Sequence, residues 1–174
     1  MKETNEMQEK IIKLSNIKLF SQIKDDQNAL EMVADLFSEC KISKGKNVFN
    51  EGEFGNELYI IKSGTVEILK STIHGDSYTL VELSAEQNIF FGEFALLDPD
   101  KRSAGVRCIT DCEFFVLTRQ DFLVLGDSNP KIGLAITREL SRIVCDRIRK
   151  SNSDIVTLFG ALVNEVAEID GIEE

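Results

Sequence analysis

Hydrophobic and polar positions follow three different rhythms along the chain. Residues 8–20 and 26–38 repeat apolar side chains every three to four positions. In the second stretch Leu30, Val33, Leu36 and Phe37 make one apolar face, so both are expected to be short helices. From Cys40 to Leu117 the runs shorten to strand length and are punctuated by glycine and polar residues. Val48-Phe49, Leu58–Ile61, Val66–Leu69, Tyr78–Val81, Val106–Ile109 and Glu113–Leu117 read as strands, with Gly64 in a tight turn and His74-Gly75-Asp76 in a polar one. Strands this short at near-regular spacing suggest an antiparallel sandwich or barrel. After Thr118 the helical rhythm returns. Thr118 is a candidate N-cap with Asp121 three residues on, and Asn129-Pro130 opens a second helix through Arg149.

Beyond that point the pattern changes again. Ser151-Asn152-Ser153-Asp154 favour caps and are candidates for a break. Ile148, Ile155, Leu162 and Ile169 recur every seven residues, and Leu158, Phe159 and Val166 widen the seam. That spacing resembles a short coiled-coil face for a homodimer; packing back onto the chain's own barrel is the alternative. The expected organisation is α+β: an N-terminal helical segment over 1–39, an antiparallel β-barrel or jelly roll (a double-stranded β-helix) over 40–117, and C-terminal helices over 118–174 serving dimerisation or output.

Composition narrows the function classes. No run of 18 apolar residues exists and Met1–Lys10 is polar, so neither a membrane span nor a signal peptide is expected, and the location is read as cytoplasmic. Cys40, Cys108, Cys112 and Cys145 read as ordinary thiols of a reduced compartment; with His74 the only histidine, no metal site is expected. The net charge of −10 and the dilution of Arg138, Arg142, Arg147, Arg149 and Lys150 by Glu139 and Asp146 argue against a nucleic-acid partner.

The segment Phe91 to Ala104, between two strands, carries the candidate chemistry. Gly92 permits close backbone approach, Glu93 to Leu97 can form one helical turn ended by Pro99, and free N–H groups of such a turn attract anions. Arg102 returns a guanidinium suited to two phosphate oxygens, Glu93 offers a carboxylate to a hydroxyl, and small Ala95 and Ser103 leave room for a ligand. Taken alone, a glutamate and an arginine in one loop could equally pair with each other.

These residues resemble the phosphate-binding cassette of the cyclic-nucleotide-binding domain family, which includes protein kinase A regulatory subunits, bacterial catabolite activator proteins and cyclic-nucleotide-gated channels. Phe91-Gly92-Glu93 and Arg102-Ser103-Ala104 match its two ends. A second family signature is matched by Gly52-Glu53-Phe54-Gly55-Asn56-Glu57-Leu58-Tyr59-Ile60-Ile61-Lys62-Ser63-Gly64. The resemblance implies a ligand-binding set of Phe91, Gly92, Glu93, Phe94, Ala95, Arg102, Ser103 and Ala104. Arg102 would meet the exocyclic phosphate oxygens and Glu93 the ribose 2′-hydroxyl. Backbone N–H groups near Ala95, with Ser103, would complete the cradle. Serine after the arginine leans to cAMP over cGMP. The long-helix Thr-Ser pair that bacterial activators use on adenine is replaced by Arg147 and Ile148, which leaves Ile143 and Arg147 as candidates to cap the base by apolar contact and cation–π stacking.

No catalytic residue and no cofactor are implied, only a regulatory module that relays binding through its C-terminal helices to an unidentified protein partner. Only about 20 residues follow Asp154, too few for the DNA-reading domain of bacterial activators, so an output domain is expected to be absent or to lie on another chain. The competing readings are an interaction module on the same fold that binds no nucleotide, a metal-dependent enzyme on a related barrel, and a DNA-binding regulator.

Overall fold

The computed structural model describes residues 2–72, 75–98 and 100–170, with side chains described between Glu6 and Glu165. His74, Pro99 and the side chains of Val166 and Ile169 lie outside the described residues. The chain divides into two compact units, Met1–Glu139 and Leu140–Glu174.

The first unit opens with α1 (Lys2–Ser15), a 3-10 turn at Lys18–Phe20 and α2 (Gln27–Ala34). The first helix stops short of residue 20 because Ser15 Oγ and Asn16 Nδ2 turn back to donate to the Ile12 carbonyl. Asp26 caps α2 by accepting from the Ala29 amide at 3.0 Å. The second helix ends at Ala34 rather than 38, because Ser38 already pairs with Val116 across a sheet. Leu14, Leu19, Phe20, Leu30 and Val33 are buried, and Phe20 meets Phe37 edge-on at 6.1 Å.

Eight strands follow: β1 (Ser38–Ile42), β2 (Asn47–Phe49), β3 (Glu57–Ser63), β4 (Thr65–Ser71), β5 (Ser77–Ser84), β6 (Phe90–Phe91), β7 (Gly105–Cys108) and β8 (Cys112–Thr118). They form two antiparallel four-stranded sheets, ordered β1-β8-β3-β6 and β2-β7-β4-β5. One core joins them: Ile61, Phe91, Phe114 and Val116 from the first sheet pack with Val66, Leu83, Val106 and Cys108 from the second. Gly64, at φ +90°, makes the β3–β4 turn that its sequence position predicts. The architecture is thus α+β with two antiparallel sheets and a long C-terminal helix.

A four-residue helix, α3 (Phe94–Leu97), sits in the connection between β6 and β7. Thr118 caps α4 (Arg119–Ser128), its Oγ1 accepting from the Asp121 amide at 3.1 Å while donating to the Asp121 carboxylate at 2.6 Å. Pro130 opens α5 (Pro130–Asp170), a single helix of 41 residues with no break at Ser151–Asp154. Those four side chains are exposed, where serine and asparagine cost only tenths of a kcal/mol in a helix, too little to interrupt one with strong formers on both sides. Within the second unit every described side chain from Ser151 to Glu165 is exposed, Leu158, Phe159 and Leu162 among them.

Candidate functional site

The site is built on one arginine. Arg102 is buried, with a side chain only 5% exposed, although it belongs to a surface loop. Two backbone hydrogen bonds tie its peptide to the β2–β3 connection: the Arg102 amide donates to the Glu53 carbonyl at 2.7 Å, and the Gly52 amide donates to the Arg102 carbonyl at 2.9 Å. Phe54 and Lys101 extend this pairing as an isolated bridge. The arginine's place is therefore fixed by residues about 50 positions earlier.

Its side chain lies in a slot made by glycines and aromatic rings. A Cβ on Gly55 would stand 2.2 Å from Arg102 Nε, and one on Gly92 would stand 2.7 Å from Nη1 and 2.9 Å from the Glu57 carbonyl oxygen. Gly92 also has φ +77°, so glycine is required there by conformation as well as by space. The guanidinium rests on the Phe49 ring at 4.1 Å, with Tyr59 at 5.9 Å. Phe91 stacks on Tyr59 at 5.4 Å and meets Phe114 edge-on, which makes the slot wall part of the core.

Hydrogen bonds account for most of the fork. Nη1 donates to the carbonyls of Glu57 at 2.9 Å and Gly92 at 3.2 Å, and Nη2 donates to the Glu57 carboxylate at 3.0 Å. Nε is buried with no hydrogen-bond partner. Burial pulls the guanidinium's pKa down, and the charges of Glu57, Tyr59 and Glu93 push back. Of its five N–H donors three are used and two, that of Nε among them, are not, and a guanidinium with donors to spare suits an anionic oxygen.

The remaining cassette residues are placed as follows. Glu93 is buried at the start of α3, close enough to Arg102 to act on its charge. The Ala95 and Leu96 amides donate to Gly92 and Glu93 at 3.2 and 3.1 Å, so these two N–H groups close the turn on itself rather than standing free as the sequence suggests. Phe91 is buried with its ring in the aromatic cluster, whereas Phe94 is exposed. Ser103 is exposed, and its carbonyl accepts from Lys70 Nζ at 2.7 Å. Lys70 also pairs with Glu51, whose carboxyl the lysine's hydrogen bond and the Ser71 amide hold below the usual carboxylate range. Ala104 is half-buried. Ile143 is buried and Arg147 exposed; both lie in the second unit, and their role toward a base rests on the resemblance alone.

A glutamate–arginine pair does exist, but the partner is Glu57 rather than the neighbouring Glu93. Sequence reasoning overlooked Phe49, Gly55, Glu57 and Tyr59 as the walls of the slot. Gly55, Glu57 and Tyr59 belong to the Gly52–Gly64 signature, which carried their signal, whereas Phe49 lies outside it. Among the described residues, no group of three or more His, Cys, Asp or Glu is arranged to hold a metal ion, and no helix is long and apolar enough to cross a membrane.

Comparison with known proteins fits this geometry. Residues 39–129 match the cyclic nucleotide-binding domain family, and the chain belongs to that family. The cyclic AMP receptor protein of Thermus thermophilus is 29% identical over 139 residues, spanning 79% of this chain and 62% of that protein. A cAMP-dependent protein kinase regulatory subunit of Aspergillus fumigatus is 32% identical over 109 residues, 63% of this chain and 25% of that one. The crystal structure of the Thermus thermophilus catabolite activator protein superposes with a TM-score of 0.72 at 27% identity, covering 81% of this chain and 62% of that one. The chain therefore spans less than two thirds of these relatives.

Proposed function

We propose that this protein is a sensor of a cyclic nucleotide, cAMP, and performs no chemistry on it. The observation that carries the reading is Arg102: a buried guanidinium with an unsatisfied Nε, seated between Gly55 and Gly92. In this reading Arg102 binds the exocyclic phosphate oxygens, buried Glu93 accepts the ribose 2′-hydroxyl, and Ser103, Gly92 and the backbone around Ala95 shape the cradle. The named activities of the relatives, a cyclic AMP receptor and a cAMP-dependent regulatory subunit, support cAMP as the base choice. The two sheets are read as a jelly roll enclosing the single core. Calorimetric titration with cAMP and cGMP tests the assignment. Arg102→Ala is expected to weaken cAMP binding by about 2–5 kcal/mol, because it removes one member of a buried charge contact. An unchanged affinity would sink the assignment, and no binding by the parent would favour an interaction module without a ligand.

We further propose that binding is relayed through α5. The exposed Ile148, Ile155 and Leu162, one heptad apart, support association with a second copy of this chain or with a protein partner through that stripe. A relay requires ligand to favour one of two conformations. Hydrogen exchange over residues 130–165 is therefore expected to differ with and without cAMP, and identical exchange would refute the coupling.

A further inference from the structure

The charges around Arg102 pose a question that a phosphate receptor should not raise. One guanidinium faces three carboxylates: Glu57 in direct contact, and Glu93 and Glu53 close enough to interact through their charge. Glu93 has a task in the proposed function and Glu53 caps the Asn50 amide. Glu57 has neither task. It leaves β3 on the same face as Tyr59, two residues on, and its carboxylate takes Nη2 of Arg102 at 3.0 Å and the Asn56 amide at 3.2 Å. The Glu57 side chain is about one-third exposed while that of Arg102 is almost wholly buried, so of the two partners it is the carboxylate that meets water.

We infer that Glu57 is a charge-selectivity residue that admits singly charged phosphodiesters and rejects doubly charged phosphate monoesters. The inference rests on the proposed function and deepens it. Any phosphate that reaches Arg102 comes within a few ångströms of the Glu57 carboxylate, and like charges at that range repel in proportion to the product of their charges. A 3′,5′-cyclic phosphate carries one negative charge. A terminal monophosphate carries about −1.5 to −2 near neutral pH. The same carboxylate therefore penalises the monoester about twice as strongly, and a cyclic nucleotide is distinguished from its ring-opened counterpart by charge as well as by shape. Glu57 does this without losing the arginine's orientation, since the backbone carbonyls of Glu57 and Gly92 hold Nη1 independently of the side chain.

Glu57→Gln is the discriminating variant, because the amide oxygen still accepts from Nη2 while the charge is gone. The experiment titrates cAMP and 5′-AMP into the full chain and into the variant by calorimetry, at low and moderate salt. The expected result is a gain of about threefold in affinity for cAMP and about tenfold for 5′-AMP at low salt, shrinking as salt screens the charge. Glu57→Asp, which keeps the charge, should stay near the parent in the ratio of the two affinities. Should Glu57→Gln fail to fold, Glu57→Thr removes the same charge with a shorter side chain. Equal gains for both nucleotides, no gain, or weaker cAMP binding would each overturn the inference while leaving the sensor assignment intact. If neither parent nor variant binds either nucleotide, the sensor assignment and the inference fall together. Binding by the variant alone would support the inference in its strongest form.

Discussion

The β-sheet core and the far part of α5 use the same residue types to opposite ends. In the sheets Ile61, Val66, Phe114 and Phe115 are wholly inside, covered by other parts of the chain. On α5, Ile155, Val156, Leu158, Phe159 and Leu162 are between 57% and 71% exposed, a contiguous apolar stripe whose complement is not in the unit it belongs to. Scattered exposed apolar residues are ordinary in proteins, whereas a row of them at helical spacing is not. The difference teaches that residues in the first region specify the fold, while those in the second are available to specify an association.

A matched pair of truncations breaks the comparison most sharply. Phe114→Ala removes a ring that meets Tyr59 and Phe91 edge-on, and is expected to cost about 3–5 kcal/mol in denaturant unfolding. It should also slacken the slot around Arg102, since Tyr59 is shared by both. A smaller effect is expected from alkali. Burial, and then the neighbouring Cys112, push the Cys108 thiol from 9.0 up to about 12. Folding thus favours the protonated thiol: its contribution is complete below pH 9 and is lost as pH rises toward 12. Unfolding midpoints measured from pH 8 to 11 should therefore fall less steeply in Cys108→Ala, and identical slopes would count against the shift. The smallest effect on unfolding belongs to Phe159→Ala, expected within about 0.5 kcal/mol at low protein concentration. The same variant should weaken self-association in sedimentation experiments at high concentration, where stability and association are linked. A large loss of stability at low concentration would show that the stripe already has a partner inside the chain.

What could be read from the sequence follows the same division. Strands between Val48 and Leu117 were legible because glycine and polar turns bracket short apolar runs. The helix starts at Thr118 and Pro130 were legible because a capping hydroxyl and a proline act on adjacent residues. β1 was hidden because Leu36 and Phe37 continue the apolar rhythm of α2, and its own residues, exposed and half-buried by turns, give no clean alternation. Two-residue β6 is too short to carry a period. At the site, Arg102 and Gly92 could be named from local order, but Glu57 lies 45 positions from the arginine it binds. Local spacing pointed to Glu93, whereas sheet pairing supplied Glu57. The continuity of α5 through Ser151–Asp154 was equally out of reach, because local cap preferences are weak against a long helix.

The length of that helix has a geometric corollary. Forty-one residues rise about 60 Å, and each residue turns the helix by about 100°. The direction in which the apolar stripe faces is therefore a phase, set by counting residues from Pro130. Inserting one residue near Lys150 would swing everything beyond it by more than a quarter turn, two would carry it to nearly the opposite side, and seven would bring it almost home. A helix of this kind works as a dial as well as a rod, and its setting is written in the number of residues rather than in their identity.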